Sequence, residues 1–116
     1  MNAETRFAAT CIVNRTSTIT VGFSWKYDVP QNQWKSDRIT PKERQCFWHE
    51  YPDVKQNRSP DLLIYFDANA GVGKQKRESR LQSDPSPDKD FRNGRPYMFI
   101  EDGNGYIDLR EAVYYQ

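Results

Sequence analysis

The sequence predicts an all-β protein, an antiparallel two-sheet β-sandwich of about seven or eight short strands. The first observation behind this is Thr18-Ile19-Thr20-Val21-Gly22-Phe23-Ser24-Trp25-Lys26-Tyr27, where every second residue is large and apolar and those between are small or polar. That is the period of a strand with one dry face, and no helix shows it. The second is the recurrence of short apolar or aromatic runs every ~8 to 14 residues, separated by Pro, Gly, Asn and Asp. The third is composition: hydrophobic content is only 36% while aromatic content is 14%, so a few large rings must supply much of the core. A barrel of similar strand count is the structural alternative.

In chain order, Phe7, Ala9, Cys11 and Val13 share one face of a first strand, with Ala8, Thr10 and Ile12 on the other. Asn14-Arg15-Thr16-Ser17 reads as the turn of a first hairpin; its glycosylation-acceptor pattern is taken as a strand end. In the second strand Ile19, Val21, Phe23 and Trp25 are expected on one buried face. Asp28 to Asn32 is a loop, Trp34 to Ile39 a third strand broken by Thr40-Pro41, and Arg44 to Tyr51 a fourth. After the turn-rich stretch from Pro52 to Pro60, Asp61 to Asp67 is the most apolar segment and predicts a central strand buried on both faces. A loop from Ala68 to Lys74 leads into a basic run ending at Arg80, where Leu81 anchors a short strand. Ser83 to Pro96 predicts a long polar loop pinned by Phe91. Tyr97 to Glu101 and Tyr106 to Arg110 predict a closing hairpin, with Ile100 opposite Ile107 and Met98 opposite Leu109.

A chain of 116 residues suits one domain that buries about 60 to 70% of its unfolded surface. Seventeen Lys+Arg against sixteen Asp+Glu leave a net charge of +1, which supplies no general field for nucleic acid or for a membrane surface, so neither is expected as a partner. The longest apolar run, Leu62-Leu63-Ile64-Tyr65-Phe66, falls far short of the ~20 residues of a spanning helix. The start of the chain shows no signal-peptide pattern, and a soluble cytoplasmic protein is expected. Cys11 and Cys46 have no metal-ligand spacing and are expected as buried free thiols, a disulfide being reserved for an oxidising compartment.

The sharpest chemical motif is Asp102-Gly103-Asn104-Gly105-Tyr106 followed by Glu111, which resembles the middle and end of an EF-hand loop. It would offer Asp102, Asn104, the Tyr106 carbonyl and Glu111 to calcium. The position of the first ligand holds Ile100, however, and the entering segment alternates like a strand, so a hairpin loop is preferred and no cofactor is expected beyond calcium as an alternative. Asp84, Asp88 or Asp90 could add oxygens. Ala68 to Lys74 lacks both ends of a phosphate loop. His49 is the sole histidine, which excludes a histidine metal centre, and three residues from Cys46 on a strand it faces away from that thiol. No carboxylate pair stands out, and the chain is expected not to be an enzyme. Trp34 and Trp48, polar on both sides, are the candidate binding residues, whereas Trp25 belongs to the dry face.

Asn14-Arg15-Thr16 between strands, Trp25, Trp34, Thr40-Pro41, Phe47-Trp48, Ile64-Tyr65-Phe66-Asp67, Tyr97-Met98-Phe99 and Asp108-Leu109 together resemble a small bacterial β-sandwich accessory domain. Such domains accompany caspase-like or trypsin-like peptidases. The resemblance implies a non-catalytic appendage with a protein or peptide partner, and carries over no functional residues. The expected function is therefore a binding or interaction module. A calcium-binding β module and a carbohydrate-binding sandwich with an aromatic platform are the alternatives.

Overall fold

The computed structural model describes residues 4–53, 59–69, 76–87, 89 and 94–112. Nine strands form in chain order: β1 (Glu4–Asn14), β2 (Val21–Tyr27), β3 (Lys35–Ile39), β4 (Arg44–Asp53), β5 (Leu62–Asp67), β6 (Lys76–Leu81), β7 (Asp84–Ser86), β8 (Arg95–Glu101) and β9 (Ile107–Glu111). One sheet runs β4-β1-β8-β9, with the short β7 also paired to β1, and the other runs β3-β2-β5-β6. The fold is the expected two-sheet all-β sandwich. No helix occurs among the described residues, so none there is long and apolar enough to cross a membrane.

The core lies where the inward faces meet. Val21, Phe23 and Tyr27 of β2 are buried and Ile19 and Trp25 pack against them, as the alternation requires. Opposite stand Ala8 and Ile12 of β1, Phe47 and Tyr51 of β4, and Phe99, Ile107 and Leu109. The aromatic composition explains how so few apolar residues suffice: Phe23 meets Phe47 edge-on at 6.1 Å, and Phe66 meets Phe99 at 5.2 Å. The Tyr27 hydroxyl crosses the core to the Phe47 and Ala8 carbonyl oxygens at 2.9 and 3.1 Å, and burial raises its pKa.

The first connection is not a hairpin. β1 and β2 sit in different sheets, and Asn14 is the reason. Its fully buried amide donates to the carbonyls of Ile19 and Ile39, both at 2.8 Å, while its oxygen accepts from the Thr16 amide and hydroxyl at 2.9 and 2.7 Å. These bonds hold the chain in an arch over the end of the sandwich. They also engage both amide hydrogens that glycosylation would need, so the acceptor pattern is structural in the folded protein.

Cys11 and Cys46 are not free thiols. β1 and β4 pair antiparallel with these two residues directly opposite, Cα atoms 4.0 Å apart, and their sulfurs form a disulfide. The expectation failed because it rested on compartment and not on register.

The closing hairpin forms one residue out of the expected register: Glu101 pairs with Ile107, Phe99 with Leu109, and Ile100 with Asp108. Its loop holds five residues, closed by the Asp102 amide donating to the Tyr106 carbonyl at 3.0 Å, with Gly103 and Gly105 both at φ 87°. A slip of one residue exchanges the faces of β8 against β9, so Phe99 joins Ile107 and Leu109 on the inward side and Met98 and Ile100 turn outward. The expected long loop after Ser83 is also interrupted, by β7. Phe91, Asp88 and Asp90 lie outside the described residues.

Candidate binding face

The outward face of the four-stranded sheet follows from three registers. Ser24 lies opposite Ser36 and Tyr65, Lys26 opposite Leu63, Gly22 opposite Arg38, and Tyr65 opposite Glu78. Alternation along each strand puts all of these on the side away from the core. Trp34, one residue before β3, joins them. Its indole is 6.5 Å from the Tyr65 ring, and the Lys26 ammonium sits 5.3 Å over it. Trp34 is 45% and Tyr65 43% exposed, and these are the large hydrophobic side chains left open among the described residues.

Small groups surround the two rings. The Ser24 and Ser36 hydroxyls are 3.1 Å apart on the exposed surface, and each keeps hydrogen-bonding capacity for a visitor. A Cβ placed on Gly22 would meet nothing within 4 Å, so the sheet floor beside Arg38 is open. At the edge next to Trp34, the Arg38 amide donates to Asp37 Oδ1 and the Arg38 carbonyl accepts from Gln45 Nε2, each at 2.7 Å. That edge is thereby blunted against strand addition.

Trp34 and Trp48 are not brought together. Trp48 stands opposite Ala9 on the other sheet, half-buried on its outward side. Trp34 instead acquires Tyr65, which sequence reasoning missed because it lies inside an apolar run. Leu62, Leu63, Ile64 and Phe66 are buried as expected, but Tyr65 is not. The only signal for it was one polar-tipped ring within that run, and its polar cross-strand neighbours appear only when the pairing is known.

The calcium set is divided. Asp102, Asn104 and Tyr106 share the hairpin loop, where Asp102 Oδ1 accepts from the amides of Asn104 at 2.8 Å and Tyr106 at 3.3 Å. Glu111 lies at the far end of β9, about 16 Å away at strand rise, held to Arg95 at 3.1 Å. Arg95 also reaches Asp84 at 3.5 Å. Among the described residues no three His, Cys, Asp or Glu side chains are grouped to hold a metal ion. Most of the loop once compared with a phosphate loop, residues 70–74, is outside the described residues.

A second concavity of about 660 Å³ opens at one end of the sandwich, lined by Asp28, Val29, His49, Tyr51, Asp61 and Arg80 among others. Its charges satisfy one another: Arg80 Nη1 lies 2.6 Å from Asp28 and 3.1 Å from Asp61, and these carboxylates raise its pKa. His49 points inward, stacked on Tyr27 at 5.4 Å. Burial, helped by Lys35, lowers its pKa. Cys46 is in the disulfide and no nucleophile faces the imidazole from it. Comparison with protein families, curated proteins and solved structures gave no match.

Proposed function

We propose that this sandwich is a non-catalytic binding module that takes its ligand on the outward face of the four-stranded sheet. The observation that carries this reading is the pair Trp34 and Tyr65: two large rings left about half exposed, side by side on one face, with Lys26 laid over one of them. Aromatic side chains are the strongest anchors in recognition, and leaving two of them in water at one place is unfavourable without a partner. The cleft at the end of the sandwich supports the reading less well, because its cation is already held by two carboxylates. The module acts as part of a larger protein or assembly, in keeping with the resemblance to accessory domains. The Cys11–Cys46 bridge favours an oxidising compartment over the cytoplasm.

Hydroxyl-radical footprinting tests the location of the site. Short peptides and oligosaccharides are screened for saturable binding, and any binder is then footprinted. Protection of both Trp34 and Tyr65 is the expected result. A binder that leaves both rings reactive and protects His49 and Tyr51 instead would move the site to the cleft and overturn the reading.

A further inference from the structure

We infer that the ligand of this face is an uncharged carbohydrate chain, with a sugar ring stacked on the Trp34 and Tyr65 platform and its hydroxyls held by the side chains beside it. The inference rests on the sheet face being the recognition surface.

A pyranose presents an apolar side of C–H groups, whose slight positive charge suits the negative face of an aromatic ring, and a rim of hydroxyls that each donate and accept. The face offers both halves of that match. Two rings lie 6.5 Å apart and inclined at 58°, so they form a steep angle and not one flat plate, and a sugar ring that lies flat on one is flanked by the other. Around them stand mixed hydrogen-bonding groups: the Ser24 and Ser36 hydroxyls, the Lys26 and Arg38 donors, and the Glu78 carboxylate directly across the ladder from Tyr65. Asp67, two residues beyond Tyr65 on the same side of β5, adds a second acceptor. Gly22 leaves the sheet floor open between these groups, room that any larger side chain would narrow.

Nucleic acid fits less well. Bases also stack on exposed rings, but a strand brings phosphates that need a groove of one charge sign. Here Glu78 and Asp67 stand among the cations, and the whole chain carries only +1.

A protein partner fits less well too. A standard protein interface buries about 800 Å² on each partner around an apolar core. The apolar centre such an interface needs is limited to the two rings and the largely buried Leu63, among lysine, arginine, serine and glutamate. Extension of the sheet by a peptide is hindered at Arg38, whose amide and carbonyl are already engaged. A short run of sugar units matches the mixed polarity of the face.

The test is calorimetric titration of the disulfide-intact protein with soluble neutral oligosaccharides of glucan, mannan and chitin type, beside heparin fragments, poly(U) and a set of aromatic-rich peptides. Saturable binding of at least one neutral oligosaccharide is expected. It should weaken about tenfold in Trp34→Ala and in Tyr65→Ala, the scale of one lost stacking contact, and persist at roughly 0.5 M salt, where surface charge is screened. Both side chains are exposed, so both variants should melt close to the parent protein, which separates lost binding from lost folding. Binding of heparin, poly(U) or a peptide that depends on both rings, with no neutral sugar bound, would overturn the carbohydrate inference and leave the face as the site. Sugar binding indifferent to both substitutions would overturn the face itself. No binding of any neutral oligosaccharide at millimolar concentration would also count against the inference.

Discussion

The outward faces of the two sheets obey the same alternation and end in opposite conditions. On the five-stranded sheet the outward residues of β1 are Phe7, Ala9, Cys11 and Val13, and Ala9 and Cys11 are as buried as any core residue. Two residues that precede β8 meet them: Lys89 sits 5.7 Å over the Phe7 ring and Gly94 abuts Cys11. On the four-stranded sheet the outward residues include Ser24, Lys26, Ser36, Arg38, Leu63, Tyr65 and Glu78; Leu63 alone of these is buried, and Ser36, Arg38, Tyr65 and Glu78 are exposed. The difference teaches that alternation names the dry face where the other is polar, as in β2, but not which face meets the core where both are largely apolar, as in β1. A covered outer face can be apolar and carry a disulfide; an uncovered one must be polar, and a pair of rings left on it then becomes informative.

The disulfide is the strongest mark of the covered face, and removing it gives the largest expected effect. Replacing Cys11 and Cys46 with alanine should lower the unfolding free energy by about 4 kcal/mol, the loop-closure estimate for a separation of 35 residues. Urea denaturation measures it. A native, unreduced protein in which both thiols can be alkylated would break the comparison at its base.

Gly94→Ala comes next. A Cβ there would fall 2.4 Å from Cys11 Sγ and 3.2 Å from the Cys11 amide nitrogen, and since backbone cannot give way as a flexible side chain does, a loss of about 1 to 3 kcal/mol is expected. Thermal melting would show it, and a neutral outcome would mean that Gly94 does not press on Cys11.

His49 probes the interior between the two faces. With its folded-state pKa lowered, chiefly by burial, the unfolded chain takes up a proton that the folded one resists. Stability from this residue is therefore fully present above the unfolded value of about 6.5 and lost as pH falls through that value toward the folded pKa. His49→Phe, which keeps a ring against Tyr27, should remove that part of the slope in melting temperature between neutral and mildly acidic pH. An unchanged slope would mean that His49 protonates as freely folded as unfolded.

Gly22→Ala is the smallest and the counterpart of Gly94→Ala. With open space around the added methyl, stability should stay within about 0.5 kcal/mol. A large loss there would show that the face is closed at Gly22.

The fold class, most strand positions and the inward face of β2 were legible because they depend on local period and on turn residues, which each segment carries within itself. Trp34 was legible as a candidate because its neighbours are polar. Register and cover were not. The slip in the closing hairpin turned on a loop of five residues where four were expected, and the Asp102 bonds that choose between them form only in the folded loop. The disulfide needed β1 beside β4, a pairing across thirty-five residues, and Tyr65 could be recognised as exposed only once Ser24 and Glu78 were known to flank it. By itself, then, the sequence determined that the chain forms amphipathic strands and which side chains share a side, because a strand's period of two is a property of its own backbone. The tertiary structure alone decided which sides are covered, which cysteines meet and which rings are left facing water, because these depend on contacts between segments far apart in the chain, and no local pattern encodes them.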